Sequence, residues 1–281
     1  MKKHILTVAL ISLIGAALMF SCSKDDNIQT EDNTVAEEDV WAEKVFNEVS
    51  DIADEAYDFK MGNLKSTLWK RLYLSDCATV TMDTTGFPHV LTIDFGDTNC
   101  LCNDGRYRHG MILVSFTGRY RHPGTVITHT FQNYYVDDNQ IEGTHVLTNM
   151  GENENGNLYF TIEVAGVIHK ADNGGTVSWN SSRVREWIQG SVTRNPWDDI
   201  YLITGTANGI TAKGQTWEKE IMTTLRLELA CRFIVSGTVE IRPEDRPVRL
   251  LDYGNGACDN EATLVVNGVS YTIYLHRGHK I

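Results

Sequence analysis

Beyond residue 77 the chain is written almost wholly in short runs of β-branched and aromatic residues cut by clusters of Gly, Asn and Asp. The runs at 78–82, 90–95, 111–117, 126–135, 159–167, 200–206, 225–235 and 262–266 read as strands. Asp137-Asp138-Asn139, the stretch Glu152 to Gly156, and Asn173-Gly174-Gly175 read as turns between them. Asn267-Gly268 lies between two alternating runs and predicts a type I′ hairpin, because both residues tolerate positive φ. Nothing alternates strand, helix, strand. The expected fold is therefore mainly β, an antiparallel meander forming a curved sheet, an open barrel or a sandwich. Residues 181–188 have a weak helical look and read otherwise as a strand edge.

One segment follows a different period. Trp41, Val45, Val49, Ile52, Ala56 and Phe59 recur every three or four residues, and Glu43, Glu48, Asp51, Asp54 and Asp58 fill much of the remaining surface. Thr34-x-x-Glu37 is a capping-box signature and Gly62 a plausible stop. Residues 35–62 are thus predicted to form one amphipathic helix whose apolar stripe is buried on the β-rich region, 63–281.

Within that region the chain matches itself. Asp94-Phe95-Gly96 precedes Cys100, and Asp252-Tyr253-Gly254 precedes Cys258, at equal offsets of six, five and four residues. Each block has another Cys upstream, Cys77 and Cys231, and a strand downstream. Two related units, near 77–122 and 231–281, each closed by a disulfide, are the economical reading. Cys231–Cys258 follows directly. Cys77 pairs with Cys100 by spacing, or with Cys102 if Asn103-Asp104 is aligned with Asp259-Asn260; Cys77–Cys102 is slightly favoured, with one thiol left spare.

The first residues carry an address. Lys2, Lys3 and His4 precede an apolar run from Ile5 to Phe20, too short to span a bilayer comfortably, and Ser21 stands directly before Cys22. Residues 1–21 are expected to be a lipoprotein signal peptide, with Cys22 acylated, palmitate included, and 22–34 a polar, acidic tether. Several acyl chains on one Cys exceed the two signals that stable anchoring takes. The leader resembles those of Bacteroidota lipoproteins. In that group a Lys and two acids just after the lipidated Cys act as a surface-export signal, which Lys24-Asp25-Asp26 matches. The mature chain also resembles β-rich surface lipoproteins of Bacteroidota, on the Asp-Phe/Tyr-Gly-x-x-x-Cys blocks and on Asn133-Tyr134-Tyr135 with Glu142-Gly143-Thr144. That resemblance implies location and fold class but no site.

Charge narrows the partners. The chain carries −12, and loss of residues 1–21 removes two Lys and no acid, giving −14. Such a balance gives no electrostatic case for binding nucleic acid, so outer-membrane attachment rests on the acyl anchor. Asp94, Asp97, Asn99, Asn103 and Asp104 crowd one loop, and Asp252, Asn255, Asp259 and Asn260 its counterpart. Ca²⁺ at Asp94, Asp97 and Asp104 is one reading, since it takes six to eight hard oxygens. Asx-turns are the default, and no cofactor is otherwise implied. Trp179, Trp187, Trp197 and Trp217 could stack on sugar rings as a glycan platform, or pack in a core. The Arg106-Tyr107-Arg108-His109 and Arg119-Tyr120-Arg121-His122 repeats read as solvated strand ends, with an anionic-glycan or phosphate site as the alternative.

No nucleophile elbow, zinc-protease pair, phosphate loop or dinucleotide fingerprint occurs. Glycoside hydrolases carry no local signature, so that class stays open. The leading expectation is a lipid-anchored cell-surface binding module for a glycan or a protein, without catalysis. The alternative is a periplasm-facing carrier or envelope-assembly lipoprotein with an apolar groove beside the helix.

Overall fold

The computed structural model describes residues 34–62, 73–120, 122–193, 195–231 and 233–274. The helix α1 (Thr34–Lys60) comes first. It is followed by β1 (Thr79–Asp83), β2 (His89–Asp94), β3 (Cys100–Leu101), β4 (Tyr107–Phe116), β5 (Val126–Val136), β6 (Asn139–Glu152) and β7 (Leu158–His169). Then come β8 (Thr176–Gln189), β9 (Ile200–Ile210), β10 (Thr216–Glu228), β11 (Phe233–Pro243), β12 (Arg249–Asn255), β13 (Glu261–Val266) and β14 (Val269–Tyr274).

All fourteen strands belong to one antiparallel sheet, ordered β1-β2-β4-β5 and onward in sequence to β14, with β3 paired to β4. The meander is open, with β1 and β14 at its ends. The expected hairpin is present: Val266 pairs with Val269, and Asn267 and Gly268 have φ of 52° and 76°. Asp137-Asp138 makes the same kind of turn, at φ of 48° and 63°, between Val136 and Asn139. Two expectations are corrected. Residues 225–235 are two strands, because the chain turns at 229–231 where Cys231 anchors a disulfide. Residues 181–188 lie within β8 and alternate buried with exposed over much of its length, a period of two with no helical character.

The sheet bends around α1. Helix side chains meet Phe116 of β4, Phe131 of β5, His145 of β6, Gly166 of β7, Trp179 of β8 and Lys219 of β10. Twenty-seven residues at 1.5 Å each give a rod of about 40 Å, long enough to fill the concave side. The expected stripe residues Val45, Val49, Ile52 and Ala56 are buried, while Phe59 is exposed. Burial extends past the stripe to Ala42, Phe46 and Ala53, because the sheet contacts more than one face of the helix. Phe46 stacks on Trp179 (centroids 5.8 Å apart, planes 7° apart) and meets Phe131 edge-on. A Cβ on Gly166 would lie 2.0 Å from the Phe46 ring, so only Gly allows this approach. Burying such a ring contributes about 1.5–3 kcal/mol.

Candidate functional site

The most unusual surface in the molecule is internal. The polar side of α1, which a simple amphipathic helix would give to water, also faces the sheet. Its first half is matched carboxylate by carboxylate. Glu38 accepts from Lys170 Nζ (3.0 Å) and from the Ala212 backbone N–H (2.9 Å). Asp39 accepts from Trp179 Nε1 (2.9 Å) and Lys219 Nζ (2.5 Å). The same ammonium reaches Glu43 at 2.7 Å, and Arg183 approaches Glu43 at 3.2 Å as an ion pair without hydrogen-bond alignment. Glu48 accepts from Arg106 (2.6 Å) and lies 3.5 Å from Arg108.

These environments separate two neighbouring acids. Burial pushes the Asp39 carboxyl up, against the pull of Lys219. Burial also pushes on Glu43, but Arg183 and Lys219 outweigh it and hold that group down to about 2. One buried lysine, shared by two acids, locks the helix to β10.

The second half also accepts hydrogen bonds from phenols and backbone N–H groups, with Arg185 acting on Asp51 and His145. Asp51 accepts from Tyr73 Oη (3.2 Å), Asp54 from Tyr120 Oη (2.8 Å), and Glu55 from the backbone N–H groups of Tyr73 and Leu74. Loss of hydration, then Asp54 beside it, push the Asp51 carboxyl up to about 7. Water nevertheless reaches Asp51, although protein surrounds it at longer range. Its side chain is exposed, so solvent tempers the upward push. Under this half lie His129 and His145, both buried, with their Nδ1 atoms 3.1 Å apart and Ser50 Oγ 3.4 Å from His145 Nε2. Burial lowers His129 to about 4, and burial with the neighbouring His129 lowers His145 well below its ordinary value.

The residues expected from sequence fall elsewhere. Cys22, Lys24, Asp25 and Asp26 lie outside the described residues. Cys231–Cys258 is formed. The favoured Cys77–Cys102 pairing is corrected to Cys77–Cys100, leaving Cys102 a buried free thiol. The reason is β3: Cys100 is anchored opposite Arg108 in the sheet, whereas Cys102 opens the turn to Arg106.

The Ca²⁺ reading loses its ligands. Asp94 accepts from Gly96 N–H, as Asp252 does from Gly254 N–H in the second unit, both at 2.8 Å. These Asx-turns occur at matching positions and use the loop acids locally. Asp104 grips Arg108 with both oxygens (2.8 and 2.7 Å), while Asp97 is exposed. Among the described residues no group of three or more His, Cys, Asp or Glu is placed to hold a metal ion. Arg108, expected at a solvated strand end, is fully buried; burial opposes its charge, but Asp104 outweighs this and raises its pKa.

Nor do the four tryptophans form a platform. Trp179 and Trp217 are buried in the core, Trp187 is half-buried, and Trp197 alone of the four is exposed. A Cβ on Gly209, which lies between Trp179 and Trp217 in register, would meet the Trp217 ring at 2.8 Å. What the sequence did not single out was Lys219, Arg183 and the His129–His145 pair. For Arg183 the trace is parity: Trp179, Ser181, Arg183, Arg185 and Trp187 share one face of β8.

The two ends of the meander differ. Helix α1 begins beside the turns after β7 and β9, where Lys170 and Ala212 meet Glu38. It ends beside the turn after β4, where Tyr57 stacks on Tyr120 at 4.1 Å. The turns after β1, β6 and β8 share this second end, because antiparallel connections alternate. Phe87 (74%), Val192 (95%) and Trp197 (45%) are exposed there, as Leu101 (53%), Val248 (48%) and Val269 (46%) are at the opposite end.

Compared with known proteins, the chain matches no family model, no curated protein and no solved structure.

Proposed function

We propose that this chain is an outer-membrane lipoprotein, acylated on Cys22 and exported to the cell surface through Lys24-Asp25-Asp26. It binds a glycan or a protein through the turns at the end of the sheet where α1 finishes. The observation that carries the binding reading is the occupied groove. A carrier needs an empty apolar concavity, and here α1 fills it with Phe46, Val49 and Ile52 on one side and ion-paired carboxylates on the other. Contact with an outside ligand then falls to the periphery, where Phe87, Val192 and Trp197 offer apolar surface. Eleven residues separate Cys22 from Thr34, a reach of at most about 40 Å if fully extended.

Protease shaving of intact cells, with a periplasmic protein as control, tests this reading. Clipping of the domain while the control survives supports surface display, and release of Cys22→Ala from membranes supports the anchor. Survival until the outer membrane is opened overturns the display, and a Cys22→Ala protein that stays membrane-bound overturns the anchor.

A further inference from the structure

The first repeat unit holds three cysteines where the second holds two, and the three sulfurs share one hydroxyl. Ser75 Oγ lies 2.9 Å from Cys77 Sγ and 3.3 Å from Cys100 Sγ, and Cys102 is also within its hydrogen-bonding reach. Cys100 and Cys102 are both buried while Leu101 between them is exposed, so the two side chains leave the backbone on the same side. Cys77 Sγ sits 4.0 Å from the carbonyl oxygen of Leu101, between its two candidate partners, and Cys102 Sγ is 3.6 Å from the Cys100 carbonyl oxygen. In the second unit the residue two beyond Cys258 is Asn260, so Cys231–Cys258 has no competitor.

We propose that Cys77, Cys100 and Cys102 form an exchange centre in which the Cys77–Cys100 and Cys77–Cys102 disulfides interconvert inside the folded protein. The step balances without an outside oxidant. Cys102 gives up its proton and its sulfur attacks Cys77 Sγ. The Cys77–Cys102 bond forms as the Cys77–Cys100 bond breaks, and the electron pair of the broken bond leaves with Cys100. Cys100 then takes up a proton, with Ser75 Oγ placed to relay it. One disulfide and one thiol are present before and after.

The exchange is tied to the helix. Cys102 begins the turn closed by its own N–H to the Arg106 carbonyl (2.9 Å), and that turn carries Asp104. Asp104 holds Arg108, and Arg106 and Arg108 hold Glu48 of α1. Drawing the Cys102 sulfur toward Cys77 takes it from Arg108, whose side chain it now meets, and loosens this grip. Burial pushes the Cys102 thiol up, so exchange is slow near neutral pH and quickens in mild alkali.

The test uses the folded, oxidised full-length chain, held at mildly alkaline pH with a trace of reduced glutathione. The sample is quenched in acid, unfolded and alkylated, and the labelled cysteine is located by fragment sequencing. The expected result is label on Cys100 rising from background to a steady fraction that does not depend on glutathione concentration, with the remainder on Cys102. Label confined to Cys102 throughout overturns the proposal. In Cys100→Ser, Cys77 is expected to pair with Cys102, leaving neither open to alkylation; both thiols free in a folded variant overturns it equally. Should that variant not fold, the wild-type label distribution decides alone.

Discussion

The two halves of α1 are packed into the same sheet by different chemistry. In the first half Glu38, Asp39, Glu43 and Glu48 each meet a lysine or arginine. In the second, Asp51, Asp54 and Glu55 accept hydrogen bonds from phenols and backbone N–H groups, above two neutral imidazoles. Glu43 resists acid, because protonating it abandons Lys219 and Arg183, whereas burial makes Asp39 beside it easier to protonate. Around Asp51 and the buried histidines, protons enter at much milder pH. The difference gives one continuous helix an acid-resistant contact at Glu43 and a more acid-sensitive second half.

The largest expected effect tests the first half. Lys219→Ala leaves Asp39 and Glu43 without their shared cation and should cost about 3–5 kcal/mol in urea unfolding. A loss under about 1 kcal/mol, the range of exposed pairs, would erase the distinction between the halves.

Acid should open the second half first. The histidines have folded pKa values below the unfolded 6.5, so their contribution is full above pH 6.5 and drains as pH falls toward 4. For His129 the complete loss is roughly 3 kcal/mol. Glu43, held at about 2 against 4.5, contributes fully above pH 4.5 and loses its share only below that. The urea midpoint should therefore fall between pH 6.5 and 4.5, and His129→Leu should flatten that fall. A flat wild-type profile in this window would contradict the assignment.

Packing comes next. Gly166→Ala drives a methyl into the Phe46 ring and should cost about 1–3 kcal/mol. Phe46→Leu in the same chain should recover part of that loss, and a double-mutant cycle measures the recovery.

The smallest effect has the opposite sign. Asp51 is raised from 3.8 to about 7, so the folded state keeps a proton there that the unfolded chain has released. Its contribution falls as pH rises from 3.8 to 7, which opposes the histidines. Asp51→Asn should thus stabilise slightly at pH 8, less at pH 5 and hardly at all below pH 3.8, read from paired urea curves.

Local patterns were legible in the sequence and global closure was not. The helix ends, the hairpin at Asn267-Gly268 and the Asp94 and Asp252 turns depend on residues within a few positions of one another. Cys231–Cys258 could be read because its unit offers no second partner. Cys77 was misread because Cys100 and Cys102 share a face, and the pairing of β3 with Arg108 decides between them. The buried cations were invisible for a related reason. Lys219 and Asp39 lie 180 residues apart and meet only once the sheet has wrapped the helix. The tryptophans carried no mark of inside or outside until Phe46 and Asp39 were seen to cover Trp179.

The central claim is that α1 is the permanent filling of the sheet and not a removable lid over a binding groove. Native-state hydrogen exchange at the amides of Val45 to Ala56, compared with those of β7 and β8, tests it most directly. The account predicts equal protection, with both sets released only by global unfolding. Helix amides exchanging orders of magnitude faster than the strands would show that the groove opens, and would return the carrier reading to the front.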